Sequence, residues 1–423
     1  MEKVNSEKGK SYFDFFILFI IVLSIGVMGG VGFDLRIGKT LVSLHSIQNI
    51  SFLAVVIWII KKVYFREKWN NKSLDLPVLI YIFVYFVSII YSSYPEVSLL
   101  FLWDTIIAIL FCNLLIDNIK DKSKLEAVLF ILLISVICTI SFGIFQHLRT
   151  QMGSGDDSYY SFVGRAEFGA VAVLTIPILT GFLLNYKKNL LAAFIFIIGL
   201  IILFTGIIVS YSRGSWLGLI IVFLFFVFLH NRILKNPRVF LLKILIIIFL
   251  FLVLPASVKN RINSIKDFSS TSGDRITTWK SSVDMFKDSP FLGVGPGTYG
   301  LIVPRFRKLE AIETWTRGWH AHNIFLHIAV ENGMIGLISF LIIIAVSFKK
   351  YFELKRKIED RKLKNILNGA IVSLTGYLAC SQMTIFFANY NKNEKISMFL
   401  WFDIALIFII ENIAKKQEGN SIT

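Results

Sequence analysis

The chain has 423 residues, 55% of them hydrophobic and 17% charged, with 40 Phe and a formal net charge of +16. Together with a mean hydropathy of +0.69, this composition excludes a water-soluble domain and fits a polytopic membrane protein. The basic excess falls in short clusters between apolar runs rather than along one face, so it reports membrane topology and argues against a nucleic-acid partner.

The length would suit two or three soluble domains, but apolar runs of about 17–25 residues recur almost from end to end, which reads as one integral bundle. Lys3, Lys8 and Lys10 precede the first run, residues 12–30. That run is long for the core of a secretion signal and no A-x-A-like site follows it, so it reads as an uncleaved span. Further spans are expected at 41–60, 77–91, 98–116, 126–147, 166–185, 190–209, 214–230, 239–257, 324–347, 367–388 and 396–412. The expected fold is an all-α integral membrane protein of about 12 transmembrane helices, with one large extracytoplasmic loop containing short helices between spans 9 and 10. Residues 1–257 then hold spans 1–9, 258–323 the loop, and 324–423 spans 10–12 and a cytoplasmic tail. Cys112, Cys138 and Cys380 lie inside apolar runs and read as free thiols acting as small hydrophobes.

Charge in the connections gives the orientation. Basic clusters at Lys61–Lys72, Lys120–Lys124, Lys187-Lys188, Arg232–Arg238 and Lys349–Lys364 alternate with short loops that carry only Arg36, Lys39, Arg149, Arg165, Arg213, Lys392 and Lys395. The positive-inside rule therefore places both termini in the cytoplasm and the long loop on the opposite face of the membrane.

Within the loop, Ile276, Trp279, Val283 and Phe286 fall at helical spacing between Asp274, a plausible N-cap, and the Ser289-Pro290 stop. An amphipathic helix lying at the membrane surface is expected. Gly295, Gly297 and Gly300 spell a G-x-G-x-x-G, but an embedded Pro296 and the lack of a strand pattern argue for a tight turn over a dinucleotide site.

Three basic positions on the outer face stand out. Arg213 sits between two spans with almost no loop around it, so it needs an anion or an internal partner unless it snorkels to the interface. Arg275 opens the loop helix, where a positive helix end adds to its attraction for anions; the alternative is a solvated loop charge. His320 and His322 flank Ala321 directly before a span. The pair fits a capping or packing role, a general base, or metal ligation; Glu310 and Glu313 are too loosely spaced to favour metal.

An ordered set of motifs now accumulates: Ser212-Arg213-Gly214 at a span start, Asp274-Arg275 through Trp279 and Phe286 to Ser289-Pro290-Phe291, the Gly293–Gly297 turn, His320-Ala321-His322-Asn323-Ile324-Phe325-Leu326, and Glu331-Asn332-Gly333 to Gly336. This set resembles the O-antigen ligase/O-antigen polymerase family of bacterial membrane glycosyltransferases over about residues 205–340. The chain departs from many relatives where they carry an Asn-Pro-Asn-like element, having Gly164-Arg165-Ala166-Glu167-Phe168 instead.

The resemblance implies metal-independent, inverting glycosyl transfer with no cofactor, within cell-envelope polysaccharide or lipopolysaccharide biosynthesis. The implied donor is an undecaprenyl-pyrophosphate-linked glycan, and the acceptor lipid A-core or a second lipid-linked glycan, with membrane lipids around them. Arg213 and Arg275 would bind the pyrophosphate in place of a metal, His322 would be the general base, and Asn323 or His320 would orient it. Arg165, Arg305 and Arg317 are secondary candidates for glycan or phosphate contacts. Ligase is the expected activity, with repeat-unit polymerase as the alternative. A flippase for lipid-linked sugars is the reading from another class; it needs a polar path, and the span interiors offer little besides Asp104 and Asp403.

Overall fold

The computed structural model describes residues 2–28, 34–37, 40–43, 47–67, 69, 73–150, 165–186, 189–229, 273–306, 320–384 and 394–421. The elements are α1 (Glu2–Met28), β1 (Asp34–Ile37), β2 (Thr40–Ser43), α2 (Ile47–Tyr64), α3 (Asp75–Ile90), α4 (Pro95–Asn118), α5 (Lys122–Thr150), α6 (Arg165–Leu183), α7 (Leu190–Val209) and α8 (Arg213–Leu229). Then come α9 (Gly273–Asp288), α10 (Tyr299–Ile302) with a 3-10 turn (Val303–Phe306), α11 (Ile324–Lys357), α12 (Arg361–Cys380) and α13 (Glu394–Ser421).

Helices cover every expected span except 239–257, which lies outside the described residues. Among the described residues, seven of them are long and apolar enough to cross a membrane, in α1, α4, α5, α6, α7, α11 and α13; α3 and α8 are shorter apolar helices. The multi-pass helical character thus holds, while the structure does not carry the count of twelve. The expectation of an all-α chain needs one correction. β1 and β2 pair antiparallel from Asp34 opposite Ser43 to Ile37 opposite Thr40. The expected second span began at 41 because Leu41 and Val42 are apolar, residues that suit a strand as readily as a helix, and the helix starts at Ile47.

Packing follows residue size and capping. Pro177 lies inside α6, and its carbonyl oxygen comes 2.7 Å from where a Cβ on Gly369 of α12 would sit, while the Asn365 carbonyl stands 2.4 Å from that point on Gly181. Glycines at both places let α6 and α12 approach backbone to backbone, the usual device of apolar helix pairs. Asp360 caps α12, accepting from Lys362 N at 2.8 Å and Leu363 N at 3.2 Å. α13 is the enclosed helix, buried along Ile396–Ile410 against α4 and α12, whereas α7 turns Leu190, Phe194, Ile198 and Ile201 outward. Cys112 and Cys380 are buried and Cys138 is exposed, none of them in a disulfide.

α12 also defines two ends. At its start Asp360 meets Lys122 at 2.8 Å, beside the α4–α5 connection; at its finish Ser381–Met383 meets α8, α9 and α11. Its 20 residues separate these by about 30 Å. We call them the lysine end and the histidine end.

Candidate functional site

The histidine end is assembled on the last turn of α12. Ile324 N donates to Ser381 O at 3.0 Å, and Asn323 Nδ2 donates to Gln382 Oε1 at 2.8 Å while its Oδ1 accepts from Leu326 N at 3.0 Å. Asn323 is thus the N-cap of α11 and its tie to α12 at once. Met383 joins the remaining parts. Arg275 Nη1 lies 3.1 Å from its Sδ, a Cβ on Gly214 would sit 3.0 Å from its Cβ, and the His322 ring donates to its backbone. Segments far apart in sequence, the start of α8 at Gly214 next to Arg213, Arg275 in the first turn of α9 and His322 before α11, therefore meet at one methionine.

Each is held by local structure. Ser212 Oγ accepts from Ser215 N at 3.3 Å and Ser210 Oγ from Ser212 N at 3.2 Å, so hydroxyls cap α8 and set Arg213 at its start. Tyr211, within this turn, takes a positive φ of 49°. His322 also has a positive φ, 52°, uncommon for a side chain of its size and typical of residues fixed by their surroundings. The fixing contacts are visible on both sides: Trp279 Nε1 of α9 donates to Ala321 O at 2.9 Å, and Ala321 N meets His327 Nδ1 at 3.5 Å. The two histidine rings meet edge to face with centroids 4.2 Å apart.

α9 ends at Asp288 as its Ser289-Pro290 stop predicts, but it begins at Gly273, so Asp274 falls within the first turn rather than at the cap. Its buried stripe is Thr278, Ser281, Ser282 and Met285, whereas Val283 is exposed. Ser282 Oγ donates to Thr278 O and bonds Tyr299 OH, each at 2.8 Å, and those partners make hydroxyls suitable for the packed face against α11. The expected apolar face is corrected accordingly.

The glycine-rich turn also finds a structural role. Gly293, Gly295 and Gly297 all have positive φ, and the turn docks on a break in α11 at Gly333, with φ 67° and ψ −173°. Val294 N and Gly295 N donate to Val330 O and Glu331 O at 3.0 Å each. The Glu331 carboxylate accepts from Gly297 N at 2.9 Å and Tyr299 N at 3.0 Å. Amides that a phosphate would need are committed to this carboxylate. Glu331 Oε2 also lies 3.4 Å from His327 Nε2, so turn, carboxylate, His327 and the His-Ala-His segment form one chain of contacts.

Burial and neighbouring charge set the protonation of the two histidines. Burial, then the charges of His322 and His327, pushes the His320 imidazole well below its usual value. Burial, then the Arg275 guanidinium, lowers His322 to about 4. Both rings are neutral at pH 7. His322 Nδ1 is buried without a hydrogen-bond partner among the described residues, so with the ring donating to Met383 its lone pair is the proton acceptor on hand.

Among the secondary candidates, Arg305 is exposed in the 3-10 turn, Arg165 is the first residue of α6, and Arg317 lies outside the described residues. Sequence reasoning missed Gln382, Met383 and His327. Nothing local marks them, since their roles arise from contacts with segments brought together only in the fold.

Residues 198–341 match the family described as O-antigen ligase. The chain is 27% identical over 197 residues to a ComP-specific O-oligosaccharyltransferase of Acinetobacter baylyi, covering 43% of this chain and 34% of that protein. It is 34% identical over 100 residues to the exopolysaccharide production protein ExoQ of Rhizobium meliloti, covering 22% of each. A Haemophilus influenzae protein is 22% identical over 373 residues, 83% of this chain and 88% of that one. The first two matches span only 34% and 22% of the relatives' own length. Arg213, Arg275, His320 and His322 all fall in the matched segment, and a domain of the O-antigen ligase family therefore spans residues 198–341 of this membrane protein.

Proposed function

We propose that the protein transfers a glycan from an undecaprenyl-pyrophosphate-linked donor to an acceptor hydroxyl at the outer face of the inner membrane. The observation that carries this reading is the meeting of Arg275 and a neutral His322 at Met383, with the start of α8, where Arg213 sits, packed on the same residue through Gly214. Two guanidinium groups beside one base suit a reaction in which a pyrophosphate departs while a hydroxyl loses a proton. The acceptor oxygen attacks the anomeric carbon and His322 Nδ1 takes its proton. The bond from that carbon to the pyrophosphate oxygen breaks, and the electron pair leaves with the lipid pyrophosphate, whose charge Arg213 and Arg275 offset. Direct displacement inverts the anomeric configuration. Asn323 and His320 hold the base in place, and neither cofactor nor metal has a step in this scheme.

Ligase activity, delivering the finished glycan to lipid A-core or another terminal acceptor, is the reading we favour, since the family description and the named oligosaccharyltransferase relative both point to transfer onto a distinct acceptor. The relative named for exopolysaccharide production keeps repeat-unit polymerisation as the second reading. Purified protein given lipid-linked donor, with and without lipid A-core, separates them. Ligase activity yields product only with the core acceptor, and polymerase activity lengthens the donor glycan without it. Equal, donor-limited turnover by wild type and His322→Ala would refute the mechanism.

A further inference from the structure

A second cluster of charge lies at the lysine end, about 30 Å from the histidines. Here α1, α2 and α4 leave a cavity of about 240 Å³ whose wall carries Lys10, Lys61, Lys62, Lys120, Glu67 and Asp117. Lys61 and Lys62 are each only 4% exposed. Lys62 meets Asp117 at 2.7 Å and lies over the rings of Trp58 and Trp69 at 5.4 and 4.8 Å. Lys61 meets Asp14 at 2.5 Å and Glu67 at 3.6 Å, and Lys10 meets Glu67 at 2.7 Å. Burial raises the Glu67 carboxyl, but the hydrogen bond from Lys10 and the charges of Lys61 and Lys120 hold it below its usual range, so it is ionised.

Four ammonium groups thus face three carboxylates, Asp14, Glu67 and Asp117. Among the described residues one positive charge is left over, on Lys120, which is exposed at the rim. A monoanion removes that excess, and the volume is far larger than the ~30 Å³ share of one water. The surroundings narrow its source. Tyr12 and Phe15 of α1 and Ile60 and Val63 of α2 are exposed apolar side chains on the same helices, suited to acyl chains. Basic pockets between membrane helices are natural seats for anionic headgroups.

We infer that this cavity binds the phosphate of a singly charged phosphodiester, supplied by the headgroup of an anionic phospholipid. It is a separate site from the Arg213–Arg275–His322 cluster and does not depend on the reaction assigned there.

The test is thermal unfolding of the full-length protein in neutral detergent, with phosphatidylglycerol, phosphatidylcholine, inorganic phosphate or glycerol phosphate added. Phosphatidylglycerol is expected to raise Tm by about 3 °C or more over phosphatidylcholine. The Lys10→Gln/Lys120→Gln double variant should lose most of that rise, and Lys280→Gln, exposed on α9 at the histidine end, should keep it. Lys120→Gln alone, at an exposed position, serves if the double variant does not fold, and should lose part of it. An equal rise with inorganic or glycerol phosphate would identify free phosphate as the source of the same chemistry. No rise with any phosphate compound, or a full rise in the lysine variants, overturns the inference.

Discussion

The two ends of this bundle both gather cations, and they hold them differently. At the lysine end, ammonium groups meet carboxylates at 2.5–3.6 Å, across α1, α2 and α4. At the histidine end, Arg275 rests on the thioether of Met383 and His322 on a backbone carbonyl. Carboxylates neutralise while they orient; a thioether and a carbonyl orient without a formal charge of their own. The first arrangement pins helices, and the second is where we propose that an anion enters.

That contrast is open to attack from either side. The largest effect is expected at the histidine end, where His322→Ala and Arg275→Ala should each lower kcat by at least ~100-fold with little change in Tm. A large fall in Tm with activity retained per folded molecule would make these residues structural instead. At the lysine end the expectation is reversed: Lys62→Gln strands Asp117 and should destabilise by about 3–5 kcal/mol, while transfer by the folded fraction stays near wild type. Glu331→Ala tests the link between them in kind, a carboxylate at the histidine end that does neutral work. It leaves the half-buried Gly297 and buried Tyr299 amides without their acceptor, at a cost of about 1–3 kcal/mol for the buried one. Denaturant midpoints check both.

The smallest effect is in pH. Because His322 is lowered to about 4, its neutral, proton-accepting form persists through the neutral range, and kcat/KM should stay flat above about pH 6 and fall only as pH approaches 4. Since the Arg275 charge is one cause of the lowering, Arg275→Gln should move the acid limb up, though not to the usual imidazole value, because burial is the larger cause. An acid limb that does not move would separate His322 from the Arg275 field.

What the sequence shows of this site is what local chemistry writes. His320 to Asn323 before an apolar run, Arg213 at a loopless span junction and the Ser289-Pro290 stop are each visible within a few residues. The family resemblance then ordered them. The dock at Ser381–Met383 was not visible, because it contacts Asn323 across about sixty residues and Arg275 across more than a hundred. α9 misled for a related reason. Its apolar spacing pointed to Val283, yet Ser282 is the buried residue because Thr278 and Tyr299, one from a later turn, satisfy its hydroxyl. The hairpin at 34–43 was hidden by two apolar residues that suit a strand as readily as a helix.

The central claim is that the guanidinium groups at the histidine end hold a pyrophosphate within reach of His322. A structure of the full chain with a non-transferable polyprenyl-pyrophosphate sugar tests it most directly. The account predicts both phosphates bound by Arg213 and Arg275 with the anomeric carbon facing His322 Nδ1. Phosphates seated away from both arginines, or at the lysine end, would contradict it.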